Sequence, residues 1–221
     1  MTTTDIQPKE RGMLFSTPMV IALQNDSKTQ TRRTVKFPKD CYQTNASPGI
    51  SSYGLPCLRA NLINDVGYDE IHCPYGKVGD IIWVRETFAI VLENKWGMID
   101  GAQEQYTYKA DKPSASQLLN PVKWKPSLFM PKEACRLRLE ITDIRVERLN
   151  DISEEDAKAE GYLKMSDHPP MAGKKQFEYN IHGTYKKGYE CLWEQINGAD
   201  SWAKNDFVWV ITFRKLYQQL A

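Results

Sequence analysis

The run DFVWVITFRKL, residues 206–216, most constrains what this chain can fold into. β-Branched and aromatic residues dominate it, as in a strand buried within a sheet. It therefore predicts a central strand, and Trp209 fits a core position. A second segment, CRLRLEITDIRVERL, supplies a partner. Leu137, Leu139 and Ile141 share one face of a strand, whereas Ile144 and Val146 fall in the opposite phase. A bulge or turn near Thr142–Asp143 would restore the register.

Helical signals flank these strands without regular β-α-β alternation. FSTPMVIALQN predicts about two turns of helix, with Thr17 as N-cap and Pro18 at the first helical position. Met19, Val20, Ala22 and Leu23 would be its buried side. NDISEEDAKAEG predicts a short helix capped by Ser153, with acids in the first turn, where the helix dipole favours them. Ile152 and Ala157 occupy the staple positions, and Gly161 ends the helix. TYKKGYECLWEQING places Tyr185, Tyr189, Leu192, Trp193 and Ile196 at helical spacing and stops at Asn197–Gly198. VGDIIWVRETFAIV predicts a turn at Gly79–Asp80 leading into a buried strand, and a hairpin is expected around WGMIDGAQEQYTYKAD. The expected class is α+β, a mixed domain or a small barrel with helical decoration.

The 221 residues suit one domain, 13–221, after a mobile tail at 1–12. Residues 41–75, 90–127 and 163–182 read as long insertions, with loops expected at 41–75 and 163–182. A net charge of +1 gives no global field for nucleic acid. No apolar run approaches a membrane span of roughly 18 residues, and no apolar leader is evident, so the expectation is a cytoplasmic protein without membrane partners. Five cysteines at wide spacing, with no CxxC, form no disulfide or zinc pattern. His72, His168 and His182 form no evident catalytic pair. No metal and no cofactor is expected, and phosphate-loop, dinucleotide and serine-hydrolase motifs are absent.

The chemistry concentrates in KTQTRRTVK, residues 28–36. Between Asn25 and Lys39 five cations face Asp26 alone. Such a stretch can be a solvated face, an anion-binding patch or a pocket wall. Paired arginines bind carboxylate or phosphate in bidentate fashion, and neighbouring hydroxyls can orient a ligand or become nucleophiles once activated. Lys28 and Thr31 would face opposite sides of a flat strand, so their convergence requires a local departure from strand geometry. Residues 151–160 carry five acids against Lys158 and could complement the basic stretch. Glu160 ends the helix, where an acid opposes the dipole. Trp124, between Lys123 and Lys125, could stack a base.

Four segments in order resemble the phage and prophage branch of the ASCH domain proteins, within the PUA-like superfamily. They are MLFSTPMVIALQNDSKTQTRRTVK, CPYGKVGDIIWVRETF, LRLEITDIRVERLNDISEEDAKAEGY and LWEQINGADSWAKNDFVWVITFRKL. The resemblance implies a compact PUA-like β-barrel with flanking helices and a cleft for a nucleobase, nucleoside or RNA. Some small members are amidohydrolases that deacetylate N4-acetylcytidine with a Lys and a Thr from a K-T-x-T-x-R stretch and a Glu near a helix end. The matching positions are Lys28, Thr31 and Glu160 as catalytic residues. Arg33 takes the family's Arg place; Arg32, Arg85 and Trp124 are further candidates for substrate contact. Two mechanisms follow. In one, Thr31 attacks with Lys28 as base and Glu160 orients. In the other, Glu160 activates water and Lys28 stabilises the oxyanion. Other members are RNA binders or ribonucleases. A non-catalytic RNA or modified-base module, and a phage accessory protein that binds another protein, are therefore alternatives.

Overall fold

The computed structural model describes residues 7–39, 41, 46–63, 67–93, 103–111, 122–162 and 183–216. Among them the chain is α+β, rich in strands, with three α-helices. The segment 163–182 lies outside the described residues.

The central sheet has five strands: β1 (Glu10–Leu14), β2 (Gln30–Thr34), β6 (Ile81–Arg85), β9 (Arg138–Arg148) and β10 (Phe207–Leu216), in the order β1-β6-β9-β10-β2. β10 is flanked on both sides, by β9 and β2, so both its faces and both its edges are covered. That explains its continuous apolar run: Val208 to Ile211 are all buried. The register of β9 against β10 slips where Thr212 pairs Asp143 and Phe213 pairs Ile141. Thr142 is the extra residue of a bulge, which brings Leu139, Ile141, Ile144 and Val146 into one core. Among the described residues β1 and β2 remain the sheet's two edges, so the strand pairing leaves this sheet open rather than closed into a barrel.

Residues 10–12 belong to β1, not to a tail, and pair parallel to β6. Gly12 allows this because the Trp83 ring lies where a Cβ would stand. Residues 41–75 are likewise not a plain loop: β3 (Ser47–Ile50), β4 (Pro56–Asn61) and β5 (Tyr68–His72) form a small antiparallel sheet. Leu58 from this sheet is fully buried in the main core. The expected hairpin exists as β7 (Phe88–Glu93) against β8 (Gln103–Tyr108).

Helix α1 (Thr17–Gln24) starts one residue earlier than the sequence suggests, with Ser16 at the N-cap. Helix α2 (Glu154–Ala159) is capped as expected, the Ser153 hydroxyl accepting from the Asp156 amide at 3.0 Å. Helix α3 (Tyr185–Asn197) runs from Thr184 to Gly198. Gly188 in α3 gives room to the Tyr162 ring, which any side chain there would overlap. Tyr189 and Trp193 pack with Leu149, Ile152, Ala157, Val208 and Val210 in a second apolar cluster. This cluster fastens α2 and α3 beside β10, close to the edge strand β2.

Candidate functional site

The site begins where α1 ends. Asp26 adopts a left-handed conformation (φ 57°), and the amides of Ser27 and Lys28 both donate to the Ala22 carbonyl. This turn ends α1 and sets Lys28 beside Glu160. Lys28 then makes an isolated antiparallel bridge with Glu160, and the Thr29 amide donates to Ala159 O at 2.8 Å. Gly161 makes the close approach possible. Its φ is +83°, and a Cβ there would lie 2.8 Å from the Cβ atoms of Ala22 and Lys28.

Backbone pairing delivers the two side chains to each other. Lys28 Nζ donates to Glu160 Oε2 at 2.7 Å and to the Glu160 carbonyl at 2.9 Å. The lysine side chain is 0% exposed and the glutamate 2%. Burial drives the Lys28 ammonium below its ordinary lysine value; the Glu160 charge and hydrogen bond oppose that fall, and Arg33 and Arg32 add to it. Arg32 holds the other carboxylate oxygen, with Nη1 3.3 Å from Glu160 Oε1. Its Nη1 also donates to Gln30 Oε1, and its Nη2 to Glu147 Oε1 at 2.6 Å and Asp156 Oδ2 at 2.9 Å. Burial disfavours the guanidinium charge, but Glu160, Glu147 and Tyr189 keep Arg32 above its usual value. Arg145 closes the network through Asp156 at 2.6 Å and Glu147 at 3.0 Å.

A cleft of about 220 Å³ opens in front of this network. One wall is β2 and its continuation: Thr31, Arg32, Arg33, Thr34 and Lys36. Consecutive residues can line it because β2 is an edge strand whose free side faces the cleft. The opposite wall is α3, with Tyr189, Leu192, Trp193, Ile196 and Asn197; Glu160, Met19 and Tyr75 complete the lining. Thr31 is 1% exposed, and its Oγ1 has no hydrogen-bond partner among the described residues. Such an orphan hydroxyl costs roughly 1–3 kcal/mol unless something in the cleft satisfies it.

Thr31, Glu160, Arg32 and Arg33 therefore come together at one cleft. Lys28 stands behind Glu160 rather than on the cleft wall, and borders a groove on the far side with Leu23, Thr29 and Phe213. Arg33 reaches the cleft with its Nη2 anchored on Leu14 O at 2.8 Å and its guanidinium over the Phe15 ring. Arg85 and Trp124 do not line it. Arg85 instead donates to the Leu128 carbonyl and lies over Trp83. The residues of α3 are the additions. Helical periodicity marks Tyr189 and Trp193 as core, and both are buried in the second apolar cluster while also bordering the cleft.

Among the described residues no group of three or more His, Cys, Asp or Glu side chains is arranged to hold a metal ion. No described helix is long and apolar enough to cross a membrane. Comparisons with family models, with curated proteins and with solved structures return no match to this chain.

Proposed function

We propose that the protein is an amidohydrolase that removes the acyl group from an N4-acylated cytidine-type nucleoside. One observation carries the reading: the unpartnered Thr31 hydroxyl shares a cleft with a carboxylate that two buried cations hold in place. The cleft volume lies below the roughly 300–1,000 Å³ of drug-sized pockets, which suits a compact ligand. Trp193, Tyr75 and Asn197 offer apolar surface and an amide for a base, and Arg33 and Lys36 put cations at the same opening. The ordered resemblance to ASCH proteins supports the same site, and the open five-stranded sheet would then be a PUA-like barrel in opened form.

In this reading Glu160 takes a proton from water as the water oxygen bonds to the acyl carbon. The carbonyl electron pair moves onto oxygen, to which the Thr31 hydroxyl donates a hydrogen bond. When the C–N bond breaks, the proton on Glu160 passes to the departing N4 amine, leaving acetate and cytidine. Lys28 and Arg32 are positioning residues that fix the carboxylate from behind. The Thr31-nucleophile alternative fits less well, because both Lys28 hydrogen bonds already go to Glu160.

The test is incubation of the purified protein with N4-acetylcytidine, followed by chromatography. Release of cytidine and acetate supports the reading. Absence of turnover at high enzyme concentration overturns it. Binding without turnover would instead favour a modified-base module, for which the sealed Lys28–Glu160 pair would be a rigid wall.

A further inference from the structure

One buried tyrosine at the cleft has no part in the chemistry above. Tyr189, on the second turn of α3, is 4% exposed and lines the cleft opposite β2. Its ring is buried, and no described residue hydrogen-bonds its hydroxyl; that oxygen is not one of the fully buried unpartnered atoms, so it stays open to the cleft. Trp193, Trp202 and the Arg32 guanidinium, 6.0 Å from the ring centroid, hold the ring in place. The phenol is thus held at its ring, with its oxygen open to the cleft.

We infer that Tyr189 is a second catalytic hydrogen-bond donor, facing Thr31 across the cleft and donating to the same developing oxyanion. This rests on the hydrolase reading and assigns that site a residue the charge pattern does not contain. Thr31 approaches from the strand wall and Tyr189 from the helix wall, so the two hydroxyls can bracket an oxygen that is negative only in the transition state. The donor must stay protonated. Burial, and after it the Glu160 charge, hold the Tyr189 phenol well above its usual value, while Arg32 and Arg33 pull less strongly the other way. A neutral donor whose ring is held in the cleft wall needs little reorganisation when the oxyanion forms. No proton leaves Tyr189 during the cycle; it lends a hydrogen bond to the tetrahedral intermediate and recovers it when the C–N bond breaks.

The experiment compares wild type and Tyr189→Phe as full chains, with N4-acetylcytidine as substrate. Steady-state turnover, calorimetric binding and thermal melting are measured on the same preparations. The expected result is a kcat lower by about 10²-fold, a KM little changed, and an unaltered melting temperature, since the ring still packs. A purely structural role would lower the melting temperature and leave kcat of the folded protein intact. That outcome, or an unchanged kcat in a stable variant, overturns the role of Tyr189 and leaves the hydrolase standing. A wild type that fails to hydrolyse the nucleoside overturns the hydrolase and this role together, whether or not it binds.

Discussion

Two arginine networks in this molecule use the same residue types to different ends. Arg136 grips Glu86 through two parallel hydrogen bonds of 2.8 Å and Asp111 through two more, with its guanidinium 3.9 Å from the Tyr108 ring centroid. Its side chain is 26% exposed, and it ties β8 to the approach of β9. Arg32 is fully buried, reaches three carboxylates, and borders the cleft. The Arg136 fork meets partners on all its sides, whereas the Arg32 network leaves Arg32 Nε and the adjacent Thr31 Oγ1 without partners among the described residues. Folding alone would favour satisfying every buried polar group. A network that is sealed behind and unsatisfied in front is what a binding or catalytic site needs, and the Arg136 network shows that the same chain can complete one.

The largest effect should come from breaking the sealed side. Lys28→Met leaves the buried Glu160 carboxylate with Arg32 alone, at 3.3 Å, so a loss of about 3–5 kcal/mol is expected in urea unfolding. Arg136→Met likewise strands a buried carboxylate, since Glu86 is 1% exposed, so about 3–5 kcal/mol is expected there too, with nucleoside turnover unchanged. A turnover defect in a folded Arg136→Met would erase the distinction between the networks. By the same reasoning, alanine at Lys28 or Glu160 should also destabilise the fold.

A smaller effect concerns acid. Burial alone would raise the Asp156 carboxyl, but Arg32 and Arg145 outweigh it and hold the group below its usual value. A carboxylate depressed in the folded state adds stability above its unfolded value, about 3.9. That stability is lost as pH falls through the lower folded value. Asp156→Asn should therefore flatten the fall in stability below about pH 4. A fall as steep as that of wild type in melting curves across this range would remove Asp156 as the linked group.

Much of this was legible in the sequence, for identifiable reasons. The phase break between Ile141 and Ile144 located the bulge, because a buried face tolerates no slip. Ser153 and Gly161 bounded α2 through cap chemistry, and that placed Glu160. The charge contrast between 25–39 and 151–160 marked which segments meet. Other features left weak signals. β1 has no apolar alternation in ERGML, and β3 contains Pro48 and Gly49, which lower strand propensity. Tyr189 and Trp193 carry an unambiguous core pattern, and periodicity does not tell a core face from a face that also closes a cleft. Trp124 has favourable lysine neighbours in sequence, but it lies in an irregular segment and Arg85 at the end of β6, and neither borders the cleft.

The account rests on the Thr31 hydroxyl being kept for a ligand rather than for the fold, and Thr31→Val tests that most directly. Valine keeps the shape and the strand preference and removes an unpartnered buried oxygen. The melting temperature should hold or rise, with a gain of up to roughly 1 kcal/mol. Release of cytidine from N4-acetylcytidine should fall by about 10²-fold or more. A destabilised variant, or a stable one with undiminished turnover, would contradict the account.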